Sequence, residues 1–238
     1  TTATATGLTA QTFSVTVTDV NGCTLAATAT PAQPTALTLN ISPVNALCNG
    51  EASGNATAIP GGGISGYTYL WSDNQTTPTA TGLLAGNFSL IVTDVNGCTI
   101  SGNTTVGQPE ALSLSTTVQN TACSGSADGG IDLTVVGGTL PYNYLWDNNA
   151  TTQDLINVPS GAYFVLVSDA NNCLAEKIDT INAAVEIMLS AVPQNATCFG
   201  LNNGSIVLSA SGGTGTYTTT WTGPGNYTGS GISITGLL

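Results

Sequence analysis

The chain has 238 residues, of which 41% are hydrophobic and only 6% charged, and its net charge is −12. It contains no His, and its single basic residue, Lys177, is too little cationic charge for a nucleic-acid partner or an anionic membrane surface. Without His, and without a run of about 18 apolar residues, the sequence predicts neither an enzyme with catalytic residues nor insertion into a membrane.

Internal repetition is the dominant feature of the sequence. The tryptophans Trp71, Trp146 and Trp221 follow one another at intervals of 75 residues, and two sets of cysteines keep the same interval. This period predicts the back half of one repeat over 1–34, complete repeats over 35–109 and 110–184, and the front half of another over 185–238.

The elements within one period alternate apolar and polar residues, which is typical of half-buried strands. In chain order they are "TALTLNI", a strand of the type "GIDLTVVGG", the aromatic "YTYLW" and "FSLIVTD". Turn-rich segments such as "PGGG" and "SDNQTTP" separate them, and no segment has a helical period. The pattern predicts an all-β fold of tandem immunoglobulin-like β-sandwich repeats of 75 residues.

Aromatic residues at repeated positions form the predicted core. Their alternation points them inward, which favours a core over a sugar-stacking surface. The predicted core residues are Trp71, Trp146, Trp221, Tyr67, Tyr142, Tyr217, Phe13, Phe88 and Tyr163.

The six cysteines predict a disulfide in each complete repeat, because so small a domain is marginally stable alone. The expected pairs are Cys48–Cys98 and Cys123–Cys173, with Cys23 and Cys198 finding partners outside 1–238 or in a neighbouring chain. A bridge across the linker, Cys23 to Cys48, is the alternative. Zinc is disfavoured since no short CxxC spacing occurs, and the compartment is expected to be oxidising.

The segment "VTDVNGC" occurs twice, and "VSDANNC" is a third version of it. Its Asp is suited to accept local backbone N–H bonds, and Asn-Gly to supply the positive φ of a tight turn. We therefore interpret it as a hairpin turn. The competing hypothesis makes Asp19, Asp94 and Asp169 calcium ligands, although one acid per repeat gives it little support. No other cofactor is expected.

The chain resembles the SprB-type repeat of very large surface proteins of Bacteroidetes. The resemblance is carried by Cys-x-Gly, a Gly-Ser-Ile strand, Gly-Gly-Thr, Tyr-x-x-x-Trp and a final "VtDanGC", as in Cys123, Gly137, Tyr142, Trp146 and Cys173. It implies an extracellular or outer-surface location, export by the type IX system and a place among gliding-motility adhesins. The copy at 35–109 departs from the pattern with Ala56 and Ala58 at strand positions that are bulky elsewhere, which leaves its core packing open.

Two functions are compatible with these observations. The first is a structural stalk or filament segment of an adhesin, which presents adhesive regions away from the cell surface. The alternative is a repeat that itself binds a glycan or calcium. The expected partners are neighbouring repeats, with surface glycans as a further possibility. Equivalent positions near the two ends, "TTATATG" and "ITGLL", suggest either an excerpt of a longer array or head-to-tail assembly, in which a Cys198–Cys23 bridge would link chains.

Overall fold

A computed structural model describes residues 3–237, so residues 1, 2 and 238 of the predicted half repeats lie outside it. Within this range the chain forms β-strands and one short 3-10 turn, Pro224–Asn226, and has no α-helix. The structure divides after Pro109 into two compact units.

The first unit begins with an antiparallel hairpin, β1 (Phe13–Thr18) and β2 (Thr24–Ala29). One complete repeat follows it. Its strands are β3 (Thr38–Val44), β4 (Gly54–Gly61), β5 (Thr68–Trp71), β6 (Thr79–Leu83), β7 (Gly86–Thr93) and β8 (Thr99–Val106).

These six strands form two antiparallel sheets, in the orders β3-β4-β6 and β5-β7-β8. The two sheets enclose one apolar cluster to which both contribute. With β3 to β8 taken as strands A, B, C, E, F and G, the orders are A-B-E and C-F-G, the immunoglobulin arrangement without strand D. The prediction of an all-β fold of tandem immunoglobulin-like repeats is confirmed.

The second unit repeats this plan and then begins it again. Its strands are β9 (Ser113–Gln119), β10 (Gly129–Val136), β11 (Asn143–Trp146), β12 (Leu155–Val158), β13 (Gly161–Ser168), β14 (Leu174–Ile181), β15 (Met188–Gln194), β16 (Gly204–Ser211), β17 (Thr220–Gly223), β18 (Tyr227–Ser230) and β19 (Ser233–Leu237). The complete repeat has the sheets β12-β10-β9 and β11-β13-β14, and the third copy has β15-β16-β19 and β17-β18.

A buried tryptophan on strand C is the centre of each complete repeat. Trp71 is 1% exposed and Trp146 is 2% exposed. Each indole N–H is satisfied at 2.9 Å by a backbone carbonyl six residues later, that of Thr77 or Thr152. The indole therefore joins the core to the loop after strand C without leaving a polar atom unpaired.

The two cores are built from side chains of different size. Ala56 and Ala58 are 0% and 6% exposed, and they occupy the positions of Ile131 and Leu133 in the other complete repeat. The alanine-bearing copy still closes its core around Trp71. Small residues at these positions are thus accommodated inside the same pair of sheets.

Candidate functional site

The Asp of "VTDVNGC" lies at the turn between strands F and G and is almost fully buried in both complete repeats. In the first, Asp94 accepts backbone N–H bonds from Asn96 and Cys98, both at 2.9 Å. It also accepts one from Ile64, 30 residues earlier, at 3.1 Å. One carboxylate thus closes its own turn and ties that turn to the loop between strands B and C.

Asp169 repeats this geometry in the second complete repeat. It accepts N–H bonds from Thr139 at 2.8 Å, Asn171 at 2.8 Å and Cys173 at 2.9 Å. Burial raises the pKa of Asp169, but the N–H donors of Cys173, Thr139 and Asn171 outweigh burial and leave the pKa below its usual range. For Asp94 the Ile64 N–H is the largest cause of a lowered pKa.

The paired glycines of the B–C loop make room for this carboxylate. Gly137 and Gly138 have φ values of 77° and 62°, in the left-handed region that favours glycine. A Cβ on Gly138 would lie 2.8 Å from Oδ2 of Asp169, and a Cβ on Gly137 would lie 2.1 Å from the carbonyl oxygen of Ala111. The glycine pair is therefore required both by its dihedral angles and by close packing.

The same glycines fasten the linker that precedes each repeat. The N–H of Gly63 donates to the carbonyl of Thr35, and that of Gly138 donates to the carbonyl of Glu110, each at 2.9 Å. The hydroxyl of Tyr142 donates to the carbonyl of Gly137 at 2.6 Å, as Tyr67 does in the preceding repeat. We call this combination of Gly-Gly, Tyr, Asp and linker carbonyl the incoming anchor.

The other end of each complete repeat has its own set of linker contacts. The side chain of Asn45 accepts a hydrogen bond from the N–H of Gly107 at 2.8 Å, and Asn49 donates to the carbonyl of Pro109 at 3.0 Å. In the second complete repeat Asn120 accepts from the N–H of Asn182 at 2.8 Å. The chain therefore reaches each repeat at one pole, the incoming pole, and leaves it at the opposite or outgoing pole.

The cysteines lie at these two poles, and the predicted bridges Cys48–Cys98 and Cys123–Cys173 are wrong. Cys98 and Cys123 carry free, exposed thiols. Cys23 and Cys198 are also free and exposed, so the alternative bridge from Cys23 to Cys48 is not formed either. Cys48 and Cys173 are disulfide-bonded.

The geometry of strand G explains why a bridge within one repeat does not form. Cys98 lies in the turn before β8, at the incoming pole, whereas Cys48 lies in the loop that contacts the outgoing linker. The eight residues of β8 separate these poles by about 26 Å. A disulfide needs Cα atoms within about 7 Å, so the two sulfurs of one repeat are out of reach of each other.

The remaining predicted core residues are more deeply buried in the complete repeats than in the incomplete copies. Tyr163 is 9% exposed, and its hydroxyl donates to the carbonyl of Pro159 at 2.9 Å, the tyrosine-corner contact of immunoglobulin folds. Tyr67, Tyr142 and Phe88 are partly buried against the two cores. In the incomplete copies Phe13 and Trp221 are only half-buried and Tyr217 is exposed.

The calcium candidates have carboxylates that are already engaged by backbone donors. Asp19 accepts only from its own turn, from the N–H groups of Asn21 at 2.9 Å and Cys23 at 2.8 Å. In the part of the chain that the structure describes, no three His, Cys, Asp or Glu side chains lie together as metal ligands would. The arrangement is suited to holding loops and linkers in place.

The residues that sequence reasoning missed are the asparagines of the outgoing pole. Asn45 and Asn120 recur at the 75-residue interval, with Asn195 as the third copy. That interval was the signal that could have found them. Because the chain is rich in Asn, this recurrence indicates a function only together with the linker contacts.

Comparisons with known proteins give one family and one distant structural likeness. The SprB repeat model matches residues 40–76, 115–151 and 190–226. No curated protein matches. Among solved structures, one described as "Structural basis for Dscam isoform specificity" is 13% identical with a TM-score of 0.30. The match covers 69% of this chain and 52% of that one, so this chain spans about half of its length.

This structural likeness is distant, and the immunoglobulin-like fold is assigned from the strand orders alone. The three family matches start 75 residues apart, at residues 40, 115 and 190, and each runs from strand A through strand C. SprB repeats belong to cell-surface proteins. Within residues 3–237 no helix has the length and hydropathy needed to cross a membrane. The chain belongs to the SprB-repeat family and carries three successive copies of that repeat.

Proposed function

We propose that this chain is a structural segment of a long extracellular adhesin, a stalk that holds adhesive regions away from the cell surface. The observation that carries this proposal is the path of the chain through each complete repeat. Because the chain arrives at one pole and leaves at the other, every repeat advances it by about 26 Å, the length of strand G.

The linker contacts make this advance reproducible from one repeat to the next. The segment after β8 is held by Asn45 and Asn49, and the N–H of Gly50 donates to the side chain of Gln108 at 2.8 Å. The segment before β9 is held by the Gly138–Glu110 bond of the next anchor. A linker whose backbone and side chains are bonded on both sides has fewer free torsions, which favours a stiff array.

The positions of the cysteines support the same role. The first cysteine of a repeat lies at the outgoing pole and the second at the incoming pole. The length of strand G thus keeps the two cysteines of one repeat too far apart for a disulfide within that repeat. Non-reducing peptide mapping tests this: a partner for Cys48 in the following repeat supports the stalk proposal, and Cys98 as its partner contradicts it.

Small-angle X-ray scattering tests the extended array directly. A compact globule of this length has a radius of gyration of about 18 Å. We expect a larger value, and a maximum dimension that grows in equal steps when further repeats are added. A radius near that of a globule, or a dimension that does not grow with repeat number, contradicts the proposal.

A matched pair of variants connects the scattering result to the linker contacts. The double variant Asn49→Ala with Gln108→Ala removes two side chains that bond the outgoing linker. We expect this double variant to broaden the distribution of interatomic distances obtained from the scattering curve, while each repeat stays folded. As a control, Thr105→Ala alters an exposed strand residue whose hydroxyl bonds only the neighbouring Asn87 side chain, and the scattering curve should not change.

A further inference from the structure

The contact between the first complete repeat and its outgoing linker involves an Asn-Gly pair, Asn49 and Gly50. The side-chain amide of Asn49 donates to the carbonyl of Pro109 at 3.0 Å, and the N–H of Gly50 donates to Oε1 of Gln108 at 2.8 Å. Asn49, Gly50 and Gln108 are all exposed. The linker therefore holds two neighbouring groups that can react with each other, at a place that water reaches.

The reaction open to this pair is deamidation. Glycine has no Cβ, so its backbone nitrogen can approach the side chain of a preceding asparagine closely. The nitrogen of Gly50 bonds to Cγ of Asn49, its proton passes to water or hydroxide, and Nδ2 leaves as ammonia. Water from the solvent then opens the resulting five-membered imide at one of its two carbonyls, which leaves aspartate or isoaspartate at position 49.

Both reacting groups are engaged by the linker in the folded repeat. The N–H of Gly50 must lose its proton before the nitrogen attacks, and the hydrogen bond to Gln108 stabilises the protonated form. The side chain of Asn49 must turn toward the Gly50 nitrogen, and its hydrogen bond to Pro109 holds it on the linker. A bound linker therefore slows deamidation, and a released linker permits it.

We propose that Asn49 is a deamidation site protected by the outgoing linker, so that each release of the linker can leave a permanent change in the chain. The product weakens the contact that had protected the site. Aspartate has no N–H to donate to the carbonyl of Pro109 and places a negative charge beside that oxygen. Isoaspartate adds a carbon to the backbone and displaces Gly50 from Gln108. Of the linker contacts described above, the bond accepted by Asn45 remains.

The second complete repeat lacks both halves of this arrangement. Ser124 stands at the position of Asn49, and Ala183 stands at the position of Gln108. The linker after this repeat is held through Asn120. The Asn-Gly pair and the glutamine that binds it thus occur together in one complete repeat and are replaced together in the other, so the proposed site is specific to the first.

A second Asn-Gly pair in the first complete repeat provides an internal reference. Asn96 and Gly97 lie in the F–G turn, at the incoming pole. The N–H of Gly97 donates to the carbonyl of Asp94 at 3.0 Å, and the N–H of Asn96 donates to the carboxylate of Asp94 at 2.9 Å, both within that turn. The ratio of the deamidation rate at Asn49 to that at Asn96 therefore responds to the outgoing linker, while temperature and buffer act on both sites.

Peptide mapping by mass spectrometry of the full chain, incubated at mildly alkaline pH, measures this ratio. Gln108→Ala removes the acceptor of the Gly50 N–H and should raise the ratio about fivefold, the factor that corresponds to the loss of one hydrogen bond. Gln108→Glu retains an oxygen acceptor at the same place and should leave the ratio low. A ratio that is unchanged in Gln108→Ala overturns the proposal. An equal rise of the rate at Asn96 also overturns it, because general loosening of the repeat would then be the cause.

The effect on the linker is measured separately with Asn49→Asp, which reproduces one product. Hydrogen exchange followed by NMR should become faster at the N–H groups of Gly50 and Gly107, whose acceptors are Gln108 and Asn45. Asn96→Asp is the matched control and should leave both N–H groups unchanged. Unchanged exchange in Asn49→Asp overturns the proposed weakening of the linker. The path of the chain from pole to pole, which carries the stalk proposal, does not depend on either result.

Discussion

The carboxylate of Asp169 accepts a hydrogen bond of 2.8 Å from the backbone N–H of Thr139, which lies 30 residues earlier in the chain. This bond joins the F–G turn to the B–C loop, and Asp169 is 1% exposed. A buried N–H that loses its acceptor has no water to replace it. The stability of this pole therefore depends on one side chain.

Replacing Asp169 by Ala should destabilise the repeat 110–184 by about 2 kcal/mol, because three backbone donors lose their acceptor. Hydrogen exchange followed by mass spectrometry locates the effect, which should appear as faster exchange in β13 and β14. Asp19→Ala is the control: Asp19 is exposed and bonds only its own turn, so exchange elsewhere should stay the same. Equal effects from both variants would contradict the anchor role.

Acid should weaken both complete repeats through the same carboxylates. The folded state lowers the pKa of Asp94 and of Asp169, so each contributes stability above the unfolded pKa, and this contribution is lost as pH falls through the folded one. We expect the melting temperature to be nearly constant at neutral pH and to fall below about pH 4. In the variant Asp169→Asn the melting temperature should fall less steeply with decreasing pH. An unchanged dependence of the melting temperature on pH would contradict this account.

Two glycine substitutions separate backbone strain from close packing. Gly137 and Gly125 have nearly the same φ, 77° and 78°. A Cβ on Gly125 meets nothing within 4 Å, whereas one on Gly137 would lie 2.1 Å from a backbone oxygen. Gly125→Ala should lower the free energy of unfolding by about 1 kcal/mol because of its dihedral angle alone. Gly137→Ala should lower the free energy of unfolding distinctly more. Urea titration of the two variants measures the difference, and equal costs would show that the contact with Ala111 is not limiting.

The core of the second complete repeat should respond strongly to truncation. Leu133 is 0% exposed, so Leu133→Ala should lower the free energy of unfolding by about 3 kcal/mol through lost burial and a cavity. Leu145 on the outer face is 51% exposed, and Leu145→Ala should change the free energy of unfolding by less than about 0.5 kcal/mol. Thermal melts of both variants provide the comparison, and similar shifts would place Leu133 outside the core.

The cysteines should differ sharply in their importance for stability. Cys123→Ser replaces an exposed free thiol and should leave the melting temperature unchanged. Cys48→Ser removes a disulfide and should lower stability by about 2–4 kcal/mol. Differential scanning calorimetry under oxidising conditions distinguishes them. A large shift for Cys123→Ser would restore the bridge that the sequence predicted.

The strands and their repetition could be predicted because alternation of period two and a fixed interval are local properties of the chain. The pairing of the cysteines could not, because spacing along the sequence does not say at which pole a loop lies. Cys48 and Cys98 are separated by strands that run back and forth between the poles, and only the register of β8 shows that they end apart. Likewise, the third bond of Asp94 depends on Ile64, which only the folded arrangement of two loops brings within reach.

The opposite placement of the two linkers has a mechanical consequence. Tension along the chain pulls on β3 at the incoming pole. The remaining strands of the repeat are held at the outgoing pole, in the opposite direction. The seven residue pairs between β3 and β4 are then loaded together, in shear, and do not open one at a time from an end. A repeat connected in this way resists rupture because the individually weak backbone hydrogen bonds of a whole ladder must break at the same time.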